Sequence, residues 1–377
     1  MSAYSYEDPT WPRFQWGREK LAEQLVAVHI EQGRLLGCME GLGFKLRREI
    51  VLGTATVDVL KSSEIEGERL DAEQVRSSIA RRLGMDIGGL KPVDRNVEGV
   101  VEMMLDATRH YEQPLTEERL FAWHASLFPT GRNGLRPIRV GACRDDSGGP
   151  MQVVSGPVGR EHVHFQAPAA SQLNAEMKRF LAWFNGNEES DWVARAGIAH
   201  LWFVTIHPFD DGNGRIARAI SDMALARSER SSQRFYSMSA QIHQERAAYY
   251  DILEQAQKDG MDITPWMAWF LGCLGRAIEG AQATLGPVLA KARFWESAGD
   301  SDLNERQRLV LNWLLDGFEG KLTTSKWAKL AKCSHDTALR DIAELVKGGI
   351  LVRNSGGGRS TSYALTKAGE SSPGPRS

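Results

Sequence analysis

Apolar residues recur at helical spacing over most of the chain. Between 18 and 38, Leu21, Leu25, Val28 and Leu35 or Leu36 fall three, four and seven apart, the pattern of a helix with one buried side. A second such stretch covers roughly 45–61 and meets SSEIEGE, where Gly67 is a natural stop. The same periodicity predicts helices near 71–83, 93–111, 116–127, 171–184, 191–205, 214–227, 243–258 and 262–296. Residues 150–165, PMQVVSGPVGREHVHF, break the pattern. Two β-rich runs flank SGPVGRE there, so the segment reads as a hairpin set on a helical body.

Past about residue 297 the character changes. ESAGDSD is a polar, helix-poor connector; NERQRLVLNWLL, TTSKWAKLA and SHDTALRDIAELVKGG then read as three helices, the last with Ser334 as N-cap. ILVRNSGGGRSTSYALT follows as two short strands around a glycine-rich tip. Helix, helix-turn-helix and β-wing is the order of a winged helix domain. The expected fold class is therefore mainly α, a helical core with a β-hairpin flap, plus a C-terminal winged helix-turn-helix domain. The tail, ESSPGPRS, is expected to be disordered.

Composition adds mostly exclusions. A chain of 377 residues, 42% apolar and with net charge −2, can bury a sizeable core and points to no bulk polyelectrolyte partner. Cys38, Cys143, Cys273 and Cys333 lie far apart without zinc or disulfide spacing, so they read as reduced thiols of a cytoplasmic protein. The first residues, MSAYSYEDPTWPRFQW, lack the layout of a signal peptide, and no apolar run has the length of a membrane span. Locally the balance shifts: residues 321–360 hold eight Lys/Arg against three Asp/Glu. In the third C-terminal helix His335, Thr337 and Arg340 could face a DNA groove, with Arg353 and Arg359 on the wing near phosphates. Asp336, Asp341 and Glu344 share that helix and weigh against it, so a protein target or a second subunit remains an alternative partner.

The densest chemistry lies at 207–218, HPFDDGNGRIAR. Two glycines within three positions suit a tight turn whose N–H groups converge on an anion, and the helical segment that follows adds the positive end of its dipole. Arg215 and Arg218, three apart, project from neighbouring parts of one helix face. A nest, a helix N-terminus and two guanidinium groups make a polyphosphate site. A triphosphate brings more negative charge than these groups cancel, so a divalent cation is expected, with Asp211 as the hard-oxygen ligand suited to Mg²⁺. His207 has the one side chain that titrates naturally near neutrality, and it could deprotonate a hydroxyl beside the phosphates. The reaction class is phosphoryl or nucleotidyl transfer to a hydroxyl.

HPFDDGNGRIAR resembles the signature of the Fic family, His-x-Phe-x-(Asp/Glu)-Gly-Asn-Gly-Arg-x-x-Arg, at every fixed position. The resemblance implies an adenylyltransferase that moves AMP from ATP to a Ser, Thr or Tyr hydroxyl of a protein and releases diphosphate. It implies His207 as the base, Asp211 on Mg²⁺, Gly212, Asn213 and Gly214 at the α- and β-phosphates with Arg215 assisting, Arg218 at the γ-phosphate, and Phe209 as a structural residue. The hairpin at 150–165 matches the family's flap, which holds a target segment by its strand edge. QERAAYYDILEQAQ is similar to the helix that sets a tyrosine pair, here Tyr249 and Tyr250, beside adenosine; Gln257 stands where some relatives have asparagine.

SSEIEG, residues 62–67, fits the family's inhibitory pattern, (Ser/Thr)-x-x-x-Glu-(Gly/Asn), through Ser62, Glu66 and Gly67. Glu66 paired with Arg218 would keep the arginine from the γ-phosphate. TWPRFQW resembles a module ahead of some bacterial Fic cores and reads as an aromatic plug on the helices. The implied domains are an N-terminal helical module at 1–90, a catalytic core at 91–296, the winged helix domain at 297–370 and a tail at 371–377. The resemblance also implies a homodimer, as relatives often are, and the chain itself is among the candidate targets. Three alternatives stand beside this reading: a DNA-binding regulator that only senses nucleotide, a Fic enzyme with another donor, or one that removes AMP with Glu66 as hydrolytic base.

Overall fold

The helical stretches read from the sequence are helices in the computed structural model, which describes residues 4–366 apart from 157–159, 161, 187–188, 190, 299–302, 319 and 355–360. The chain divides into two units, 1–281 and 282–377.

In the first unit α1 (Arg18–Glu40), α2 (Phe44–Ile65), α3 (Ala72–Arg82), α4 (Arg95–Arg109) and α5 (Glu117–Leu127) come before any strand. A short antiparallel hairpin, β1 (Arg132–Asn133) with β2 (Arg136–Pro137), precedes a longer one, β3 (Gln152–Ser155) with β4 (His162–Gln166). Then follow α6 (Leu173–Asn185), α7 (Trp192–Ile206), α8 (Asn213–Glu229), α9 (Met238–Gln244), α10 (Arg246–Ala256) and α11 (Thr264–Ala298), within which the division of the units falls. The expected hairpin at 150–165 is thus present as β3 and β4, and part of its tip lies outside the described residues.

The core centres on α7. Every residue from Val193 to Ile206 is buried, as befits a helix apolar on all sides. Asp191 caps it, its Oδ1 accepting from the N–H groups of Val193 and Ala194 at 2.8 and 3.0 Å, a contact worth about 1 kcal/mol. The N-terminal aromatics plug the same core. Trp11 donates its indole N–H to Glu176 Oε2 at 2.9 Å, and Phe14 meets Trp202 edge-on.

Three elements differ from expectation. The second helix runs to Ile65 rather than 61, so Ser62 lies inside it, and Glu66 is its C-cap. Gly67, at φ +82°, supplies the left-handed residue that ends it. The helix expected over 243–258 is two, parted at Glu245 with no glycine or proline to mark the break; the Glu245 carboxylate takes Arg276 of α11 at 2.6 Å. Strands β1 and β2 are too short to show alternation.

In the second unit α12 (Glu305–Leu315), α13 (Thr324–Leu330) and α14 (His335–Lys347) are each capped by a polar side chain: Asn304, Thr323 and Ser334. They enclose Val310, Leu311, Trp327, Ile342 and Leu345. β5 (Leu351–Arg353) and β6 (Tyr363–Leu365) pair antiparallel, with Leu351 opposite Leu365. The glycine-rich tip with Arg359, and the tail at 371–377, lie outside the described residues. Among the described residues no helix is long and apolar enough to cross a membrane.

Candidate active site

Helix α7 ends at His207, which adopts left-handed dihedrals (φ 51°, ψ 59°) uncommon for a residue with a side chain. Its Nδ1 lies 3.2 Å from the Val204 carbonyl. A carbonyl only accepts, so Nδ1 carries the hydrogen and Nε2 presents a lone pair. Burial pushes the imidazole pKa down to about 4, against the pull of the Val204 bond and of the Glu66 and Asp211 carboxylates. The ring is neutral at pH 7 and ready to accept a proton.

Arg144, a residue the sequence did not single out, holds this turn. Its Nε donates to the His207 carbonyl at 2.8 Å, Nη2 to the Pro168 carbonyl at 2.5 Å and Nη1 to Asp146 at 2.9 Å, while its own N–H reaches the Pro208 carbonyl at 2.9 Å. The guanidinium is buried, so a lost partner would leave a desolvated charge. No motif announces it, because its contacts are to backbone 24 and 63 residues away.

The loop between α7 and α8 closes on Asn213. Its Oδ1 accepts from the Phe209 N–H at 3.0 Å and its Nδ2 donates to the Phe209 carbonyl at 2.8 Å. Phe209 is fully buried and stacks on His124 with ring centroids 4.3 Å apart, which matches its expected structural part. The Asn213 side chain thus pins the loop with its oxygen and one amide hydrogen, and its backbone N–H stays available for an anion. Gly212, at φ +79°, makes the turn into α8. The first bond within α8 runs from the Ile216 N–H to the Gly212 carbonyl at 3.0 Å, so the N–H groups of Asn213, Gly214 and Arg215 have no intrahelical acceptor. They form a helix-terminus site of the kind that takes phosphate.

Asp211 borders that site. Its Oδ1 accepts from the Gly212 N–H and its Oδ2 from Asn133 Nδ2, both at 2.5 Å. Asn133, in β1, was also unforeseen. A single half-exposed carboxylate next to a phosphate site fits Mg²⁺, which keeps several waters and binds through one or two carboxylates together with phosphate oxygens.

Arg218 is buried beneath α2. Its Nε donates to Ser62 Oγ at 2.9 Å, and Nη2 to the Ser62 carbonyl at 2.8 Å and to Glu66 Oε1 at 2.9 Å. The contact with Glu66 uses one carboxylate oxygen, not two. Nη1 is buried without a partner, 3.3 Å from where a Cβ on Gly214 would stand. Burial alone would lower the Arg218 pKa; the charge and hydrogen bond of Glu66, together with Tyr249 and Tyr250, outweigh it and raise it. Arg215 is engaged too, through Nη1 to Glu68 Oε2 at 2.7 Å, and it lies over the Phe128 ring. Glu68 was not foreseen from the sequence, because the left-handed Gly67 that turns it back toward α8 is visible only in three dimensions.

Beside these groups opens a cavity of about 440 Å³, lined by Glu66, His207 and Gly214 together with residues of the flap and of α10. Tyr249 and Tyr250 both line it. Tyr249 is buried with its hydroxyl 2.9 Å from His200 Nε2, whereas Tyr250 is partly exposed and reaches the Ile65 carbonyl at 3.4 Å. Gln257 sits in the same wall, its Nε2 3.4 Å from Thr205 Oγ1. Of the residues singled out from the sequence, Glu66, His207, Gly214, Tyr249 and Tyr250 line this one cavity, and Arg218 and Ser62 adjoin it through their contacts with Glu66 and with each other.

Residues 114–225 match the model of the Fic/DOC family, and residues 4–85 match that of a domain of unknown function, DUF4172. The chain is 28% identical over 227 residues to the protein adenylyltransferase Fic of Culex quinquefasciatus, an alignment that covers 59% of this chain and 40% of that protein. The chain thus spans about two fifths of that curated relative's length. Among solved structures it is similar to a Fic family protein from Desulfovibrio desulfuricans G20, with a TM-score of 0.52 and 22% identity over 96% of this chain and 99% of the other. A Fic domain containing signaling protein from Bacteroides thetaiotaomicron VPI-5482 gives a TM-score of 0.50 at 20% identity, over 70% of this chain and 97% of the other. At these identities the two structures establish the fold.

Proposed function

We propose, from the premise that this chain carries a Fic-family domain, that it is a protein adenylyltransferase which moves AMP from ATP to a Ser, Thr or Tyr hydroxyl of a protein. The observation that carries the reading is the pairing of a neutral imidazole, Nε2 outward, with a helix-terminus phosphate site in one cavity.

The acceptor oxygen attacks the α-phosphorus while its proton passes to His207 Nε2. The bond from the α-phosphorus to the bridging oxygen breaks, and diphosphate leaves. Arg144 keeps His207 in place for this step. The N–H groups of Asn213 to Arg215 receive the charge that builds on the phosphate oxygens, a stabilisation that needs no reorganisation. Asp211 would hold Mg²⁺, which when bound supplies further charge neutralisation. Arg218, with its free Nη1, would take the γ-phosphate. Tyr250 would border the adenosine, while Tyr249, held by His200, serves as its buried backing. Edge strand β3 would hold an extended target segment.

Glu66 would act as the brake, through its contact with Arg218 at 2.9 Å. The test is mass spectrometry of the purified chain after ATP and Mg²⁺. Glu66→Gly should gain a 5′-AMP adduct, on itself or on an added target, and the same chain with His207→Ala should not. Absence of any adduct from Glu66→Gly across a panel of acceptors and donors would defeat the reading.

A second reading concerns residues 282–377, proposed as a winged helix domain that binds DNA. Its supporting observation is the orientation of acids on α14. Two of its three acids are turned away, Asp341 buried against Arg306 at 3.0 Å and Glu344 on Gln307 at 2.9 Å, both toward α12, while His335, Asp336 and Arg340 are exposed. Thr337 is tied to Ser334, its Oγ1 2.8 Å away, and contributes to the cap. Fluorescence anisotropy with duplex DNA should show affinity that falls steeply with salt and weakens in Arg340→Ala. No salt-dependent binding would refute it.

A further inference from the structure

The cavity carries a second polar constellation that the transfer step does not use. Ser155 Oγ of β3 lies 2.6 Å from His164 Nε2 of β4, and His164 Nδ1 lies 2.6 Å from Glu254 Oε2 of α10. All three line the same cavity as His207 and Gly214.

The hydrogen-bond roles in this relay can be worked out from its ends. Lys258 Nζ is 2.5 Å from Glu254 Oε1; the bond from Lys258 and then that from His164 hold the Glu254 carboxyl below the usual carboxylate range. Glu254 is therefore ionised at pH 7 and can only accept, which puts hydrogen on His164 Nδ1. In the neutral ring His164 Nε2 then accepts, and the Ser155 hydroxyl donates to it. A free serine hydroxyl is donor or acceptor as its partner demands; this one has its hydrogen committed, and its oxygen is left as an acceptor.

Position supplies the ligand. With phosphates at Gly214 and Arg218, the cavity wall left for the rest of a nucleotide is made by Tyr250, the flap and α10, and Ser155 is part of it. We propose that the Ser155–His164–Glu254 relay reads the nucleoside, presenting Ser155 Oγ as an acceptor for a nucleoside hydrogen-bond donor. That donor is a ribose hydroxyl or the exocyclic amine of adenine. The inference rests on the nucleotide site of the adenylyltransferase reading, but not on turnover. His164 and Glu254 act as positioning residues, since they touch the ligand only through the serine.

The test is equilibrium binding, with the full chain carrying Glu66→Gly to open the site and His207→Ala to stop transfer. ATP, its 2′-deoxy and 3′-deoxy analogues and inosine triphosphate are titrated calorimetrically. One analogue should bind about fivefold to tenfold more weakly than ATP, the usual value of one hydrogen bond. Ser155→Ala should bring that ratio close to one, and Ser155→Thr, which keeps the hydroxyl, should restore it. Glu254→Gln, which frees the imidazole to reverse its donor and acceptor, should lower the ratio without deleting any atom at the ligand. The analogue that responds identifies the donor: a deoxy sugar points to a ribose hydroxyl, inosine to the amine. Ser155 is exposed, so its replacement leaves the packed core intact. ATP binding with identical ratios in the parent and Ser155→Ala overturns this inference alone, whereas no ATP binding overturns the nucleotide site with it.

Discussion

Gly214 leaves open the volume that the Glu66 carboxylate fills: a Cβ built on that glycine would stand well inside van der Waals distance of Oε1. The same bare backbone that suits a phosphate is thus occupied by a carboxylate from α2, which also holds Arg218. Two anions compete for one place. A charge-assisted hydrogen bond is worth about 1.5–3 kcal/mol, and the Glu66 side chain is 32% exposed, so the lower figure applies. Glu66→Gly should raise AMP transfer about tenfold or more, measured with α-labelled ATP. Equal labelling by the parent chain would remove Glu66 as the brake.

Glu68 offers a second hold on the same site. It engages Arg215 at 2.7 Å with 36% of its side chain exposed, and among the described residues no second partner comparable to Ser62 accompanies it on Arg215. Glu68→Gln should therefore release less inhibition than Glu66→Gly, roughly threefold at this exposure. Since Gly67 joins the two acids in one turn, the double variant should gain less than the product of the single effects. Steady-state rates of the three variants test this, and a Glu68→Gln chain slower than the parent would mean that Glu68 supports Arg215 rather than blocking it.

Much of this site could be read from twelve contiguous residues because a phosphate nest is local: a turn, a helix start and side chains three apart. Ser62 and Glu66 were singled out by the resemblance to the family's inhibitory pattern, not by their own spacing. What escaped depends on contacts across the fold. Arg144 meets His207 over 63 residues, Asn133 meets Asp211 over 78, and Glu68 meets Arg215 over 147. The helices were legible where one face is apolar. The break at Glu245 was not, because an ion pair to Arg276, rather than a glycine or proline, accompanies it. Asn213 was assigned to phosphate by its place in the motif, yet its side-chain amide also holds the Phe209 backbone at both its N–H and its carbonyl.

Arg144 can be separated from the chemistry it supports. Arg144→Lys keeps the charge but cannot reach the His207 carbonyl, the Pro168 carbonyl and Asp146 together. Two buried carbonyls then lose a donor, at about 1–3 kcal/mol each. The thermal midpoint should fall by several degrees. Transfer assayed below that midpoint, in the Glu66→Gly background, should lose at least tenfold in kcat with little change in KM for ATP. A fall in KM affinity with kcat intact would show that Arg144 serves the nucleotide instead of the base.

Protonation of the buried histidines should set the acid limit of the fold. Burial pushes His124 and His207 down to about 4 and His200 to about 3, from 6.5. Between pH 6.5 and 4 the unfolded chain therefore binds protons that the folded chain refuses, and stability must fall as the pH falls through that window. Above pH 6.5 these groups are neutral in both states and contribute no slope. The loss should be on the order of a few kcal/mol by pH 4.5, read as a falling midpoint in urea titrations. His200→Gln should flatten the slope, since one of the three proton acceptors of the unfolded state is gone. Transfer in the Glu66→Gly chain should hold from pH 7 to about pH 5, because a base titrating near 4 is still neutral there. A rate that halves near pH 6.5 while the fold remains intact would mean that His207 meets water in the working enzyme, and that its buried setting belongs to the inhibited chain alone.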